Sequence, residues 1–161
     1  MSYETRTASL SIARPANTAA YTANDVVGMT TAAGGGVLSF GSVSPGARTV
    51  RITGSSLEVD ATAVVSGEAN YRMHLYSETP PSALADNAAW DLTAGDRPYY
   101  LGYIDLGTPV DLGSTLYVQA EQFKDIAVST SGNIFAYLVT VGAFTPASAT
   151  VRKVTLHTAA M

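Results

Sequence analysis

Along most of this chain apolar and polar residues alternate one by one, and that period of two leaves few folds open. Ala8, Leu10 and Ile12 alternate with Thr7, Ser9 and Ser11; Val50 and Ile52 alternate with Arg51 and Thr53; Leu57, Val59, Ala61 and Ala63 alternate with Glu58, Asp60 and Thr62. The rhythm returns in Tyr71, Met73 and Leu75 around Arg72 and His74, in Leu116, Val118 and Ala120 with Gln119 and Glu121, and in Val154 and Leu156 with Thr155 and His157. Successive side chains of a strand point to opposite faces, so strict alternation means strands with one wet face. Antiparallel sheets tolerate a solvated face, whereas parallel ones usually bury both. Turn residues punctuate the runs: Gly34-Gly35-Gly36, Ser44-Pro45-Gly46, Gly54-Ser55-Ser56, Ser66-Gly67, Gly113-Ser114 and Ser131-Gly132-Asn133. The expected fold is an all-β, antiparallel β-sandwich over residues 1–161 as a single domain, with a jelly roll preferred to an immunoglobulin-like sandwich. Residues 82–92, SALADNAAWDL, break the rhythm. They follow Pro80-Pro81, start on a capping serine and contain Ala and Leu, which predicts one short helix or helical turn near 82–92.

One strand is apolar on both faces. Within residues 133–144, Ile134, Ala136 and Leu138 face one way and Phe135, Tyr137, Val139 and Val141 the other. Both faces should therefore be covered. Two readings stay open: a central strand roofed by a second layer or a loop, or a subunit interface through Phe135, Tyr137, Val139 and Val141.

The 161 residues suffice for one domain that buries roughly 70% of its unfolded surface. With no cysteine, disulfides, thiolate metal sites and a cysteine nucleophile are excluded. The N-terminal stretch carries Glu4 and Arg6 and no apolar run, so neither a signal peptide nor an anchor is expected. No segment approaches the roughly 20 apolar residues of a membrane helix. Charged residues are 14% of the chain, against roughly 25% in an average domain. A surface built from hydroxyls and backbone is weakly defended against association, which predicts a protein neighbour. The net charge is −4 and the only adjacent basic pair is Arg152-Lys153, so nucleic-acid binding lacks its electrostatic footprint.

Candidate chemistry is sparse. His74 and His157 sit singly in alternating strands, on the presumed polar face, with no second ligand at metal spacing. No G-x-S-x-G elbow is present. Gly34-Gly35-Gly36 lacks the lysine and hydroxyl of a phosphate loop and reads as a turn. Asp86, Asp91 and Asp96 recur at five-residue steps, not at EF-hand spacing, and read as caps of turns sooner than as calcium ligands. No catalytic residue, cofactor or metal ligand is singled out, and an enzyme is not expected. Aromatics do cluster: Trp90, Tyr99, Tyr100 and Tyr103 lie within fourteen residues. Exposed, Trp90, Tyr99 and Tyr100 would form a contact patch for a sugar or a protein. Tyr103 and one of the adjacent tyrosines are expected in the core, because neighbours in a strand face opposite ways.

Three segments carry a resemblance: SIARPANTAAYTANDVVG (residues 11–28), ETPPSALADNAAWDL (78–92) and YYLGYIDLGTPVDLGSTLYVQ (99–119). Together they resemble uncharacterised virion structural proteins of tailed bacteriophages, most like capsid decoration (cement) proteins. The resemblance carries no residue-level roles. It implies an oligomeric β-sandwich, with a trimer favoured, that is assembled in the bacterial host cytoplasm and binds the major capsid protein or another virion protein. The alternative it leaves open is a carbohydrate- or receptor-binding module of a phage tail or fibre.

Overall fold

The computed structural model describes residues 4–41, 43 and 49–161. The turn expected at Ser44-Pro45-Gly46 lies outside the described residues. The strands are β1 (Thr5–Ala13), β2 (Val26–Val27), β3 (Leu38–Phe40), β4 (Thr49–Val59), β5 (Tyr71–Tyr76), β6 (Tyr100–Gly107), β7 (Val110–Asp111), β8 (Leu116–Ala127), β9 (Ile134–Thr140) and β10 (Val151–Ala160). All strand pairings are antiparallel. The first sheet has the order β1-β10-β4-β8-β7; the second has β2-β9-β5-β6, with β3 also paired to β9.

The chain crosses repeatedly between the sheets. It runs from β1 to β2 and β3, back to β4, across to β5 and β6, back to β7 and β8, across to β9 and home to β10. As a result β10 lies between β1 and β4, and β9 lies between β2 and β5. That interleaving is the jelly-roll arrangement of a β-sandwich. Inward side chains of both sheets meet in one core, for example Ile52, Leu57 and Leu156 from the first sheet against Phe40, Met73 and Leu138 from the second. Each fully buried side chain of this size contributes roughly 1.5–3 kcal/mol.

The outer face of the first sheet is wet, as β1 shows with alternating exposed and covered residues. The outer face of the second sheet is not. There His74 and Tyr76 of β5 and Tyr137 and Val139 of β9 are buried. Their cover is the connection from β5 to β6, residues 77–99, which packs Leu84, Trp90, Leu92 and Tyr99 against Tyr76, Tyr137 and Val139. The chain thus supplies its own roof for the doubly apolar strand. Tyr137 and Val139 lie beneath it, out of reach of another subunit, while Phe135 is half-buried and Val141 is 36% exposed.

Residues 82–92 form turns and a single bridge, not a helix. The helical turn among the described residues is the 3-10 turn Arg97–Tyr99, just beyond them. Ala83 and Asn87 adopt φ of 47° and 63°, which a right-handed helix excludes. The backbone of this segment also bonds sideways. Gly34 N–H donates to Ala83 C=O (2.6 Å), Gly36 N–H to Leu84 C=O (2.9 Å), Asn87 N–H to Val26 C=O (2.8 Å) and Trp90 N–H to Asn24 C=O (2.9 Å). Backbone groups committed to a neighbouring segment are unavailable to i→i−4 bonds. The glycine run earns its place here: a Cβ on Gly36 would meet Val26 Cγ1 at 2.4 Å and Leu84 O at 2.9 Å.

Candidate interaction surface

Among the described residues the most exposed large apolar side chain is Phe123, at 81%. It sits on β8 at an irregularity. Ile52 pairs with Lys124 and Gly54 with Glu121, so the single residue Thr53 of β4 faces two residues of β8, Gln122 and Phe123. The alternation of β8 survives it, and Phe123 shares the exposed face with Glu121 and Asp125. The Arg51 guanidinium lies 4.0 Å from the Phe123 ring centroid. Arg51 is itself held from the far side, Nε and Nη2 donating to the two Asp125 carboxylate oxygens at 2.6 and 2.8 Å. Those hydrogen bonds hold the Asp125 carboxyl below its usual range.

The same grouping recurs on β6. Tyr103 is 46% exposed, the Arg72 guanidinium lies 4.2 Å from its ring centroid, and Arg72 Nε donates to Asp105 at 2.9 Å. In both places the aromatic precedes its aspartate by two residues, and the arginine comes from the adjacent strand. The two aromatic rings line one hollow of about 460 Å³ along the seam where β6 of one sheet meets β8 of the other. Gln122 closes its floor by donating to the Asp105 carbonyl at 2.8 Å. Glu121 and Lys124 add one charge of each sign. A second hollow of about 530 Å³ flanks Phe123 on its other side, reaching Thr53, Ala159 and Met161.

Tyr103 was expected in the core, and its exposure is a correction. Leu75 pairs with Gly102 but Tyr76 pairs with Tyr100, so Leu101 is an extra residue; Gly102 has φ of 88°. This bulge inverts the alternation, and Tyr103 lands opposite His74 on the outer face. His74 also departs from expectation. It is 5% exposed, not solvent-facing. Its ring stacks on Trp90 at 3.6 Å, and its Nδ1 is 2.9 Å from Tyr100 Oη. Burial, with a smaller contribution from Arg72 and against the pull of Asp105, depresses its pKa to about 4. Trp90 Nε1 in turn donates to Tyr76 Oη at 3.2 Å. Trp90 and Tyr99 are thus half-buried parts of the roof, Tyr100 packs beside them from the start of β6, and one face of the Trp90 ring is taken by His74.

The remaining candidates do not converge. Asp86 accepts from Tyr21 Oη (2.6 Å) and Gly28 N–H (2.9 Å), Asp96 accepts from Ser82 N–H (2.9 Å), and Asp91 is exposed. Among the described residues no three His, Asp or Glu side chains are grouped as metal ligands. His157 is exposed, with Nδ1 3.1 Å from Thr7 Oγ1 across the β1–β10 pair. Phe123 escaped the sequence reading, yet a signal was there: it shares strand parity with Gln119, Glu121 and Asp125, an apolar ring between two carboxylates on a polar face.

No protein-family model matches the chain, and no curated protein sequence matches it. Among solved structures, it is similar to a chain of the acid-stable capsid of Helicobacter pylori bacteriophage KHP30, at 11% identity and a TM-score of 0.36, covering 96% of this chain and 86% of that one. It is similar to a chain of the cyanophage Pam1 capsid asymmetric unit, at 14% identity and 0.37, covering 99% and 86%. It is also similar to a lipoprotein of Bacteroides thetaiotaomicron, at 12% identity and 0.34, covering 98% and 84%. The jelly-roll assignment rests on strand order and register, which are this chain's own.

Proposed function

We propose that this protein is a non-enzymatic structural component of a phage virion that decorates the capsid through protein–protein contacts, with the seam between β6 and β8 as its docking surface. The observation that carries the reading is the pair of exposed aromatics, Phe123 and Tyr103, each stacked with an arginine that an aspartate holds in place. Aromatic residues and arginine dominate the energetics of protein interfaces. Side chains already stacked and clamped lose little freedom on binding, so more of their contact energy appears as affinity. The charges beside the two rings are largely paired within the subunit, Arg51 with Asp125 and Arg72 with Asp105. The partner is the major capsid protein or another shell protein, and the site of action is the virion, after assembly in the host cytoplasm.

Phe123→Ala is expected to weaken attachment to purified particles by roughly thirtyfold, equivalent to about 2 kcal/mol, with the melting temperature unchanged. Full attachment by that variant would remove the seam from the proposal. Copy number in the particle completes the test: near-capsomer stoichiometry supports decoration, and a handful of copies places the protein in the tail. The seam also supports a second reading, a carbohydrate- or receptor-binding module, because aromatic rings stand beside carboxylates there. Saturable, Phe123-dependent binding of soluble oligosaccharides would favour that reading over decoration.

A further inference from the structure

Among the described residues β1 is an unpaired sheet edge in continuous register with β10. It pairs with β10 from Thr5↔Ala159 to Ala13↔Val151 without a shift, whereas β10–β4 and β4–β8 each contain one and β5–β6 contains two. Arg14 N–H donates to Thr150 C=O and Ala160 N–H donates to Glu4 C=O. These bonds belong to the even-numbered residues of the strand. The backbone N–H and C=O groups of Thr5, Thr7, Ser9, Ser11 and Ala13 therefore point away from β10. No described backbone group bonds to them. Exposed edges are normally blunted by lysine, proline, a bulge or a covering loop. Between Thr5 and Ala13 there is no proline and no bulge, and the one charge is Arg6, ion-paired to Glu4.

We infer that this edge pairs with β1 of a second copy of the chain, antiparallel about a two-fold axis at Ser9, joining two five-stranded sheets into one. The occupant follows from self-complementarity. Centring on Ser9 is the register that pairs all five free residues: Thr5 with Ala13, Thr7 with Ser11, and Ser9 with itself. On the outer face hydroxyls then meet hydroxyls, as Ser9 and Thr155 already do at 2.8 Å within the subunit. On the inner face Ala8 meets the partner's Leu10, small against large, and both are only partly buried in the single chain. The two Arg6 side chains stand six residues apart, so no like charges oppose. An antiparallel strand meeting itself is isologous and closes at two copies, which sets this contact apart from the trimer expected from the resemblance. It uses the edge of the sheet opposite β7 and β8, and so does not depend on the docking role of Phe123.

Sedimentation of the full chain tests this without any particle. The expected species weighs about 33 kDa, twice 16.7 kDa, and dissociates on dilution. Ser9→Pro removes an outward N–H that makes no internal bond, and proline is tolerated on such an edge. It should give a monomer that melts as a single folded domain. Ser9→Cys supplies the only thiol in the molecule. Paired Cα atoms at Ser9 would lie about 5.5 Å apart, within disulfide range, so mild oxidation should yield a covalent dimer. Thr7→Cys alone should not, because its copies lie roughly 13 Å apart along the strands. A wild-type monomer at all concentrations, or a folded Ser9→Pro dimer, overturns the inference. Faster cross-linking through Thr7→Cys than through Ser9→Cys overturns the register.

Discussion

His74 lies with its ring flat against Trp90 at 3.6 Å and its Nδ1 2.9 Å from Tyr100 Oη, on a face that simple alternation assigns to solvent. Desolvation keeps the folded-state ring neutral down to a pKa of about 4, against 6.5 for a free histidine. Stability from this group is therefore complete above pH 6.5. As pH falls below that value the unfolded chain takes up a proton that the native ring refuses, and stability declines until the folded-state pKa is passed. A gap of this size corresponds to about 3 kcal/mol. Urea unfolding at a series of pH values should show the decline, and His74→Gln should flatten that component of the slope. His157→Gln, at an exposed position, should leave it unchanged. An identical slope in wild type and His74→Gln would mean the ring is not sequestered.

The element that buries His74 is the connection 77–99, and what seats it is largely Tyr137. Tyr137 Oη accepts from Leu84 N–H at 3.0 Å and lies 3.1 Å from Ser82 Oγ; its ring packs edge-on against Tyr76 at 5.6 Å. Tyr137→Phe keeps the ring and strips the hydroxyl, leaving a half-buried amide unpaired, so a loss of about 1–3 kcal/mol is expected. Amide exchange should localise it: faster exchange at Leu84 and its neighbours, with the β4 and β10 ladders unaffected. Uniform acceleration throughout would show that the roof unfolds only with the whole domain. This connection also marks where the sequence stopped being legible. Alternation predicts β1, β8 and β10 well, because each strand's polarity is written in its own residues. It misplaces parts of two others: the turn expected at Gly54-Ser55-Ser56 is the middle of the continuous strand β4, and in β5 it assigns the buried His74 to solvent. The double-sided apolar character of β9 correctly demands a cover. The roof itself is non-local: its geometry depends on positive φ at Ala83 and Asn87 and on lateral bonds to residues 24–36, none of which has a period. Bulges were equally hidden. The one at Leu101 inverts parity at Tyr103, so the docking seam includes a residue whose placement no window of its own strand could reveal, while Phe123 keeps the parity of its strand.

Across the whole molecule, two buried groups of the same composition tie distant parts together around Phe144. In one, Arg152 of the first sheet donates from Nε and Nη2 to Tyr71 Oη of the second at 3.3 and 3.2 Å, Tyr71 donates to Glu68, and Arg152 Nη2 lies 3.6 Å from the Glu68 carboxylate. In the other, Arg14 donates to Tyr21 at 3.2 Å and Tyr21 to Asp86 at 2.6 Å, linking the end of β1 to the roof. The Tyr21 and Tyr71 rings lie 5.4 and 6.3 Å from that of Phe144. Burial pushes the Tyr21 hydroxyl up to about 12 and raises Tyr71 further, so both remain donors throughout the physiological range. A buried ion pair contributes little net stability when intact, but removing one partner strands the other charge. The Arg152 and Glu68 side chains are 1% and 2% exposed, so Glu68→Gln should cost about 3–5 kcal/mol. Arg152→Met should cost a comparable amount. Glu68→Gln combined with Arg152→Met should cost less than the sum by at least about 1 kcal/mol, because the second change removes the charge that the first stranded. Strictly additive losses in denaturant melts would mean that Tyr71 alone satisfies Arg152, and that the carboxylate 3.6 Å away plays no part in joining the two sheets.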